Sequence, residues 1–243
     1  MNSGQNREII VVPDAEALAT SAAEHILRAI EAREHGPIGI CLTGGSTPKR
    51  LYELLAREPW RGRIPWERIH WFFGDDRFVP HDDPRSNVRM AREALLNHVP
   101  APFVQPMETA GRDLAEAARA YEARLHAFRA SRGSVLPLFD VVLMGMGPDG
   151  HTASLFPGQS GVDERTAWVI GVPEAGFEPF VPRLTLTLPV LASCAEMLFL
   201  VSGANKSGAL TRIRHGEDLP AGQAWPDGRL IWLVDRAAAE ESA

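Results

Sequence analysis

His151 stands directly after the run G-M-G-P-D-G (145–150), which itself closes the apolar stretch F-D-V-V-L-M. An imidazole at a glycine turn after a strand can act as a general base near neutral pH, because its unperturbed pKa is about 6.5. Asp149 is near enough in the chain to orient the ring or to shape the loop. The bland alternative is a histidine that only caps its turn. The same six letters also match the dinucleotide fingerprint G-x-G-x-x-G. That reading needs a long helix after the third glycine, yet T-A-S-L-F meets Pro157 and Gly158 within two turns. It also needs an acid at the end of the following strand. Asp163 and Glu164 precede A-W-V-I-G-V and so lie at its wrong end. The turn is therefore read as one that presents an imidazole.

Three further stretches carry usable chemistry. In L-T-G-G-S-T-P-K-R-L-Y-E-L-L (42–55), a strand runs through Gly44 and Gly45 into a helix. Ser46 and Thr47 place hydroxyls beside the free N–H groups of that helix start, which makes an anion site. The loop is not a Walker loop, and a plain capped turn is its alternative. In F-F-G-D-D-R-F-V-P-H-D-D-P-R-S-N (72–87), Asp75 and Asp76 end a strand and Arg77 adjoins them. Neighbours on a strand face opposite ways, so only one aspartate need enter a cleft. Asp82 and Asp83 read as surface loop. In V-S-G-A-N-K-S-G-A-L (201–210), Lys206 falls in a first helical turn, where the macrodipole disfavours a cation and a bound anion would relieve it. Arg183, before the alternating L-T-L-T-L, says little alone. No histidine pair has metal-ligand spacing and neither cysteine is in a C-x-x-C pair, so no protein-held metal is expected. The absence of G-x-S-x-G argues against a serine hydrolase.

The elements that must carry these residues follow from periodicity. Strands are expected at 7–12, 37–45, 67–76, 139–147, 167–172, 196–203 and 229–235. Helices are expected from Asp14 to about Arg33 with Leu18, Ala22, Ile26 and Ile30 on one face, then at 47–57, 86–99, 112–130 and 205–214. Strands apolar on both faces, alternating with helices, predict an α/β fold: an open, doubly wound, mostly parallel sheet with helices on both faces. One domain spanning 1–243 is expected, with at most a small subdomain from 156–182. Ligands bind beyond the carboxyl ends of strands in such sheets, and four of the strand ends here carry glycine-rich or polar residues.

Composition fits this frame. The 243 residues are 45% hydrophobic and 23% charged, as in an ordinary globular protein. Net charge is -6 with no basic block, which argues against nucleic acid as a partner. Cys41 and Cys194 both lie in apolar runs, so two buried free thiols are favoured over one disulfide. The polar start and the lack of any membrane-length apolar run predict a cytoplasmic protein without a membrane partner.

Taken in order, L-T-G-G-S-T-P-K-R-L-Y-E-L-L, I-H-W-F-F-G-D-D-R-F-V-P-H-D-D-P-R-S-N, F-D-V-V-L-M-G-M-G-P-D-G-H-T-A-S-L-F-P-G, P-R-L-T-L-T-L-P-V-L and G-A-N-K-S-G-A-L span residues 42–210. As a set they resemble the bacterial 6-phosphogluconolactonases of the glucosamine-6-phosphate isomerase/6-phosphogluconolactonase family. The resemblance implies a Rossmann-like fold of the glucosamine-6-phosphate deaminase kind. It implies hydrolysis of a sugar-phosphate lactone, 6-phospho-D-glucono-1,5-lactone, without metal or organic cofactor. A monomer or weak homodimer is expected. Carried over by position, His151 would activate water, with Asp149 and Gly150 in the same catalytic loop and Asp75 assisting or binding sugar hydroxyls. Gly44, Gly45, Ser46 and Thr47 would form the phosphate turn. Arg77, Arg183 and Lys206 would add cationic contacts, with Lys206 on the phosphate. The related deaminase has a loop resembling D-G-H-I-A-F-N-E-P, with a glutamate five residues after its histidine. Here that position is Phe156, and Asp75 is followed by Asp76 and Arg77 where the deaminase has E-Y. Both departures favour the lactonase. A non-catalytic sugar-phosphate sensor is the remaining alternative and would want a helix-turn-helix before residue 40 or after 215.

Overall fold

The computed structural model describes residues 7–133 and 137–240. Residues 1–6, part of the polar start read above, lie outside the described residues, as do 134–136 and 241–243. In chain order the elements begin with β1 (Arg7–Val12), α1 (Ala15–Glu31), β2 (Ile38–Leu42), α2 (Ser46–Leu55), β3 (Ile69–Phe73), β4 (Asp75–Arg77), α3 (Asn87–Ala91), β5 (Phe103–Val104) and α4 (Leu114–Arg132). They continue with β6 (Phe139–Met144), β7 (Val169–Val172), β8 (Arg183–Leu186), α5 (Leu188–Ala192), β9 (Cys194–Val201), α6 (Ser207–Arg214), α7 (Pro220–Gln223), β10 (Arg229–Asp235) and α8 (Arg236–Ala239).

Seven strands form one parallel sheet in the order β1-β10-β9-β6-β2-β3-β5. The expected doubly wound α/β architecture is what the chain adopts. Its physical cause is visible along β2: Ile38, Ile40 and Leu42 pack in the layer of α1 and α2, while Cys41 packs in the layer of α4 and α6. A strand covered on both faces must be apolar throughout, which is why these segments read as runs rather than alternations. α1 begins where the Asp14 carboxylate accepts from Glu16 N and Ala17 N, and it buries Leu18, Ala22, Ile26 and Ile30. Each such leucine or isoleucine stabilises the fold by roughly 1.5–3 kcal/mol. Cys41 and Cys194 are buried free thiols.

Chain order reverses between β2 and β6: β2, β3 and β5 step toward one edge, and β6, β9 and β10 toward the other. Their following loops part at that point and open a crevice, the place where α/β sheets bind ligands.

The structure departs from the expected elements in three places. The segment 67–76 is not one strand. At Gly74 the chain leaves the main sheet: its N–H donates to Leu42 O at 2.8 Å, while its carbonyl accepts from Leu186 N at 2.8 Å. β4 then pairs antiparallel with β8, and β8 with β7, in a separate three-stranded sheet. The stretch 167–172, expected beside the parallel strands, thus lies in this small sheet. Second, 86–99 is not a uniform helix; after α3 it widens into i→i+5 turns over Arg92–Leu96. Third, the small subdomain allowed from 156–182 draws its other two strands from β4 and β8. T-A-S-L-F, too short before Pro157 for a long helix, closes a tight turn between Thr152 and Leu155.

Candidate active site

The crevice at the switch point is a cleft of about 330 Å³, within the range of small-ligand sites. Its walls come from the loops after β2, β6 and β9, and from the small sheet.

The first wall is the β2–α2 loop. Tyr52 latches it, its hydroxyl donating to Thr43 O at 2.8 Å and accepting from Thr43 N at 3.0 Å. Gly45 then turns with a φ of 113°, which side-chain-bearing residues rarely adopt. No side chain caps α2, so its first N–H groups remain open toward the cleft that Gly44, Gly45, Ser46 and Thr47 line. Open N–H groups and the helix dipole together favour an anion here. Lys206 reaches the same cleft from the turn before α6. Burial lowers its pKa, and the nearby Asp149 charge opposes that shift. The turn that carries Lys206 is fixed by Asp235, which accepts from Ser202 Oγ and Gly203 N.

The second wall holds the imidazole. His151 Nδ1 lies 2.6 Å from Asp149 Oδ1, and the His151 N–H donates to the same oxygen at 3.2 Å. Burial pushes the Asp149 carboxyl up, but its bonds to His151 outweigh that and hold it below its ordinary value. An ionised carboxylate only accepts, so Nδ1 is the donor in this pair, which in a neutral ring leaves the lone pair on Nε2. Asp149 does not line the cleft; it stands behind the ring. Gly150 does not line it either. Its backbone packs under Leu219 and its carbonyl accepts from Ala221 N at 3.0 Å, which anchors the loop that carries His151.

The third wall separates the two aspartates. Asp75 enters the cleft, where Oδ2 accepts from Ser154 Oγ at 2.7 Å and Oδ1 from Asn87 Nδ2 at 3.3 Å. Ser154 is brought there by the strained turn in which Ala153 has a φ of 48°. Such strain costs about 1–2 kcal/mol and persists where surrounding bonds over-determine it. Here Thr152 Oγ1 donates to Gly145 O at 2.7 Å and Ser154 N to Thr185 Oγ1 at 3.2 Å. Asp76 points away and caps α3, accepting from Asn87 N, Val88 N, Ser86 Oγ and Arg77 N. Arg77 lines the cleft while its Nη1 donates to Arg85 O at 2.6 Å. Arg183 also borders the cleft, but most of its donors serve backbone carbonyls. Burial, aided by Arg77 and opposed by Asp75 and Asp76, lowers it to about 10.

Asn87 and Ser154 were not singled out from sequence. They are ordinary polar residues until the fold sets them on Asp75. Phe177 and Glu178, also at the cleft, were not singled out either. Among the described residues no group of three or more His, Cys, Asp or Glu side chains is arranged to hold a metal ion. No described helix is long and apolar enough to cross a membrane.

Asp76 allows a stability prediction. Burial raises its carboxyl to about 6 against the pull of its backbone donors. Between about pH 4 and that value, the unfolded chain has lost this proton and the native protein retains it, so this contribution falls as pH rises. In urea unfolding, the stability of wild type minus that of Asp76→Asn should decline from pH 4.5 to 6 and stay flat above. A flat difference throughout would assign Asp76 an ordinary pKa.

Comparison with known proteins bears on this geometry. The sequence model described as glucosamine-6-phosphate isomerases/6-phosphogluconolactonase matches residues 13–232. A 6-phosphogluconolactonase from Synechocystis sp. is 41% identical, the match covering 97% of this chain and 95% of that protein. The solved structure of 6-phosphogluconolactonase from Trypanosoma brucei superposes with a TM-score of 0.85 at 30% identity, over 97% of this chain and 98% of that one. A monomeric glucosamine-6-phosphate deaminase shares the fold, with a TM-score of 0.78 at 22% identity over 96% of this chain and 98% of its own.

Proposed function

This chain belongs to the glucosamine-6-phosphate isomerase/6-phosphogluconolactonase family, and from that premise we propose that it is a lactonase of the oxidative pentose phosphate pathway. It hydrolyses 6-phospho-D-glucono-1,5-lactone to 6-phospho-D-gluconate, with His151 activating the attacking water. The observation that carries this reading is the Asp149–His151 pair at 2.6 Å, set at the switch-point cleft beside the uncapped start of α2.

The phosphate docks on the N–H groups of the α2 start, with Ser46 and Thr47 beside it and Lys206 supplying charge. That contact holds the lactone ring in place and lowers the entropic cost of attack. Asp75, kept in the cleft by Ser154 and Asn87, accepts hydrogen bonds from sugar hydroxyls. His151 Nε2 takes a proton from water as the oxygen adds to C1. The tetrahedral intermediate then collapses, the C1–O5 bond breaks, and the imidazolium returns the proton to O5. Asp149 holds the tautomer that the first step needs and balances the charge of the imidazolium.

Phe156 sets this chemistry apart from deamination. It occupies the position of the deaminase glutamate, is 2% exposed, and packs its ring 5.0 Å from that of His151. A buried phenyl group cannot exchange protons with the imidazole. The test is an assay on freshly made lactone, coupled to 6-phosphogluconate dehydrogenase, with ammonia release from glucosamine 6-phosphate as the control. Ammonia release without lactone hydrolysis would overturn the proposal.

Lys206→Ala should raise KM for the lactone about 10- to 10²-fold, the scale of one lost charge-assisted hydrogen bond. Because the phosphate contact is the same in ground and transition states, kcat should change little. An unchanged KM would remove Lys206 from the phosphate site.

A further inference from the structure

Arg183 was expected to contact substrate, yet its bonds point elsewhere. It is 3% exposed at the start of β8. Nε donates to Val181 O at 3.1 Å, and Nη2 donates to Phe177 O at 3.2 Å and Pro179 O at 2.7 Å. A guanidinium has five N–H donors in a rigid plane. Three of them are committed to carbonyls of one short segment, whereas an arginine built for phosphate turns its fork to the ligand. That segment is fastened beyond Arg183 as well. Gln159 Nε2 donates to Glu174 O at 3.1 Å, Ala175 is buried with Phe156 and Val172, and Phe78 N donates to Pro182 O at 2.7 Å.

Between these anchors sits Phe177. Its ring centroid is 5.3 Å from that of His151 at an interplanar angle of 41°, and Phe156 lies at 5.0 Å and 49°. Two phenyl rings therefore pack on the one imidazole. The single Asp149 bond restrains Nδ1 but does not by itself fix the side-chain torsions that set the ring plane. Packing by the two rings removes that freedom and fixes where Nε2 points. We propose that Arg183 is a positioning residue: by fastening 177–181 it holds Phe177 against His151, and Phe156 and Phe177 together set the imidazole plane for attack on the lactone. This rests on the reading of His151 as the base.

Phe177 is 37% exposed, so Phe177→Ala should fold normally. Its kcat should fall about 10- to 10²-fold, as expected when a catalytic group is held but misaimed. KM and the Kd of 6-phosphogluconate, measured by calorimetry, should stay within about twofold. Phe177→Tyr, which keeps the flat ring, should restore kcat. Arg183→Gln should lose kcat by a similar factor with product affinity retained. The double variant should be little worse than either single one, because both changes remove the same contact. Lys206→Ala supplies the opposite signature, a weakened Kd with kcat kept. A normal kcat in Phe177→Ala overturns the proposal, as does an Arg183→Gln variant that weakens 6-phosphogluconate binding with kcat kept. Should Arg183→Gln not fold, Phe177→Ala and its tyrosine rescue decide alone. Activity surviving in His151→Ala would remove the base assignment itself. Activity lost there but kept in Phe177→Ala would remove only the positioning role.

Discussion

His151→Ala is expected to lower kcat for lactone hydrolysis by at least about 10²-fold, with KM within a few-fold of wild type. The split follows from the layout of the cleft. Phosphate affinity is proposed to lie with the α2 start and Lys206, and neither touches the imidazole in a way the substitution disturbs. What is lost is the one acceptor whose lone pair is kept available by a carboxylate behind it. Asp149 cannot replace it, because its carboxylate stands outside the cleft wall. The lactone also opens spontaneously, so initial rates should be read by coupled dehydrogenase assay with the enzyme-free rate subtracted. Turnover near wild type would end the assignment of His151 as base.

Gly147→Ala should be nearly as damaging, although residue 147 need not touch substrate or move a proton. A Cβ at this position would lie 2.1 Å from His151 Nδ1 and 2.4 Å from Asp149 Oδ1. Real contacts are never so short, so the hydrogen-bonded pair must move apart or move together out of the cleft wall. A displacement near 1 Å can cost about 10²-fold in rate. The atoms displaced belong to side chains 19% and 32% exposed, so they can swing toward solvent and the fold should survive. The expected result is a kcat reduced about 10²-fold with a melting temperature within a few degrees of wild type. Wild-type turnover in this variant would mean that the Asp149–His151 pair is not in its working position.

Much of the frame was legible because it rests on local physics. Asp14 before the Leu18, Ala22, Ile26 and Ile30 stripe marks a capped amphipathic helix whatever surrounds it. The short apolar runs within 37–45 and 139–147, ending in glycines, read as strands covered on both faces. The glycine-rich turns announce themselves because no other residue takes Gly45's conformation or tolerates Gly147's neighbours. The competing dinucleotide reading fell to a count of residues before Pro157.

What stayed hidden depends on pairings distant in sequence. Ser154 meets Asp75 across 79 positions, and nothing in T-A-S-L-F marks that serine. The break at Gly74 depends on Leu186, a partner far along the chain, so the aspartates looked like the end of a strand rather than the start of another. Arg183 said little alone, and the resemblance implied a cationic contact; only the fold shows that three of its donors serve nearby backbone carbonyls, because a buried guanidinium must satisfy its donors wherever acceptors lie. Gly150 stood beside His151 in the chain, yet the turn placed its backbone under Leu219.

The sequence by itself determined the parallel α/β frame, the glycine turns at its strand ends, and His151 with Asp149 as the chemically capable pair. These are properties of composition, periodicity and short-range geometry. Only the tertiary structure decided which aspartate faces the cleft, what holds it there, and that two phenylalanines pack on the imidazole. Those outcomes follow from which strands exchange hydrogen bonds and which donors are left buried, quantities that exist only once the chain has closed on itself.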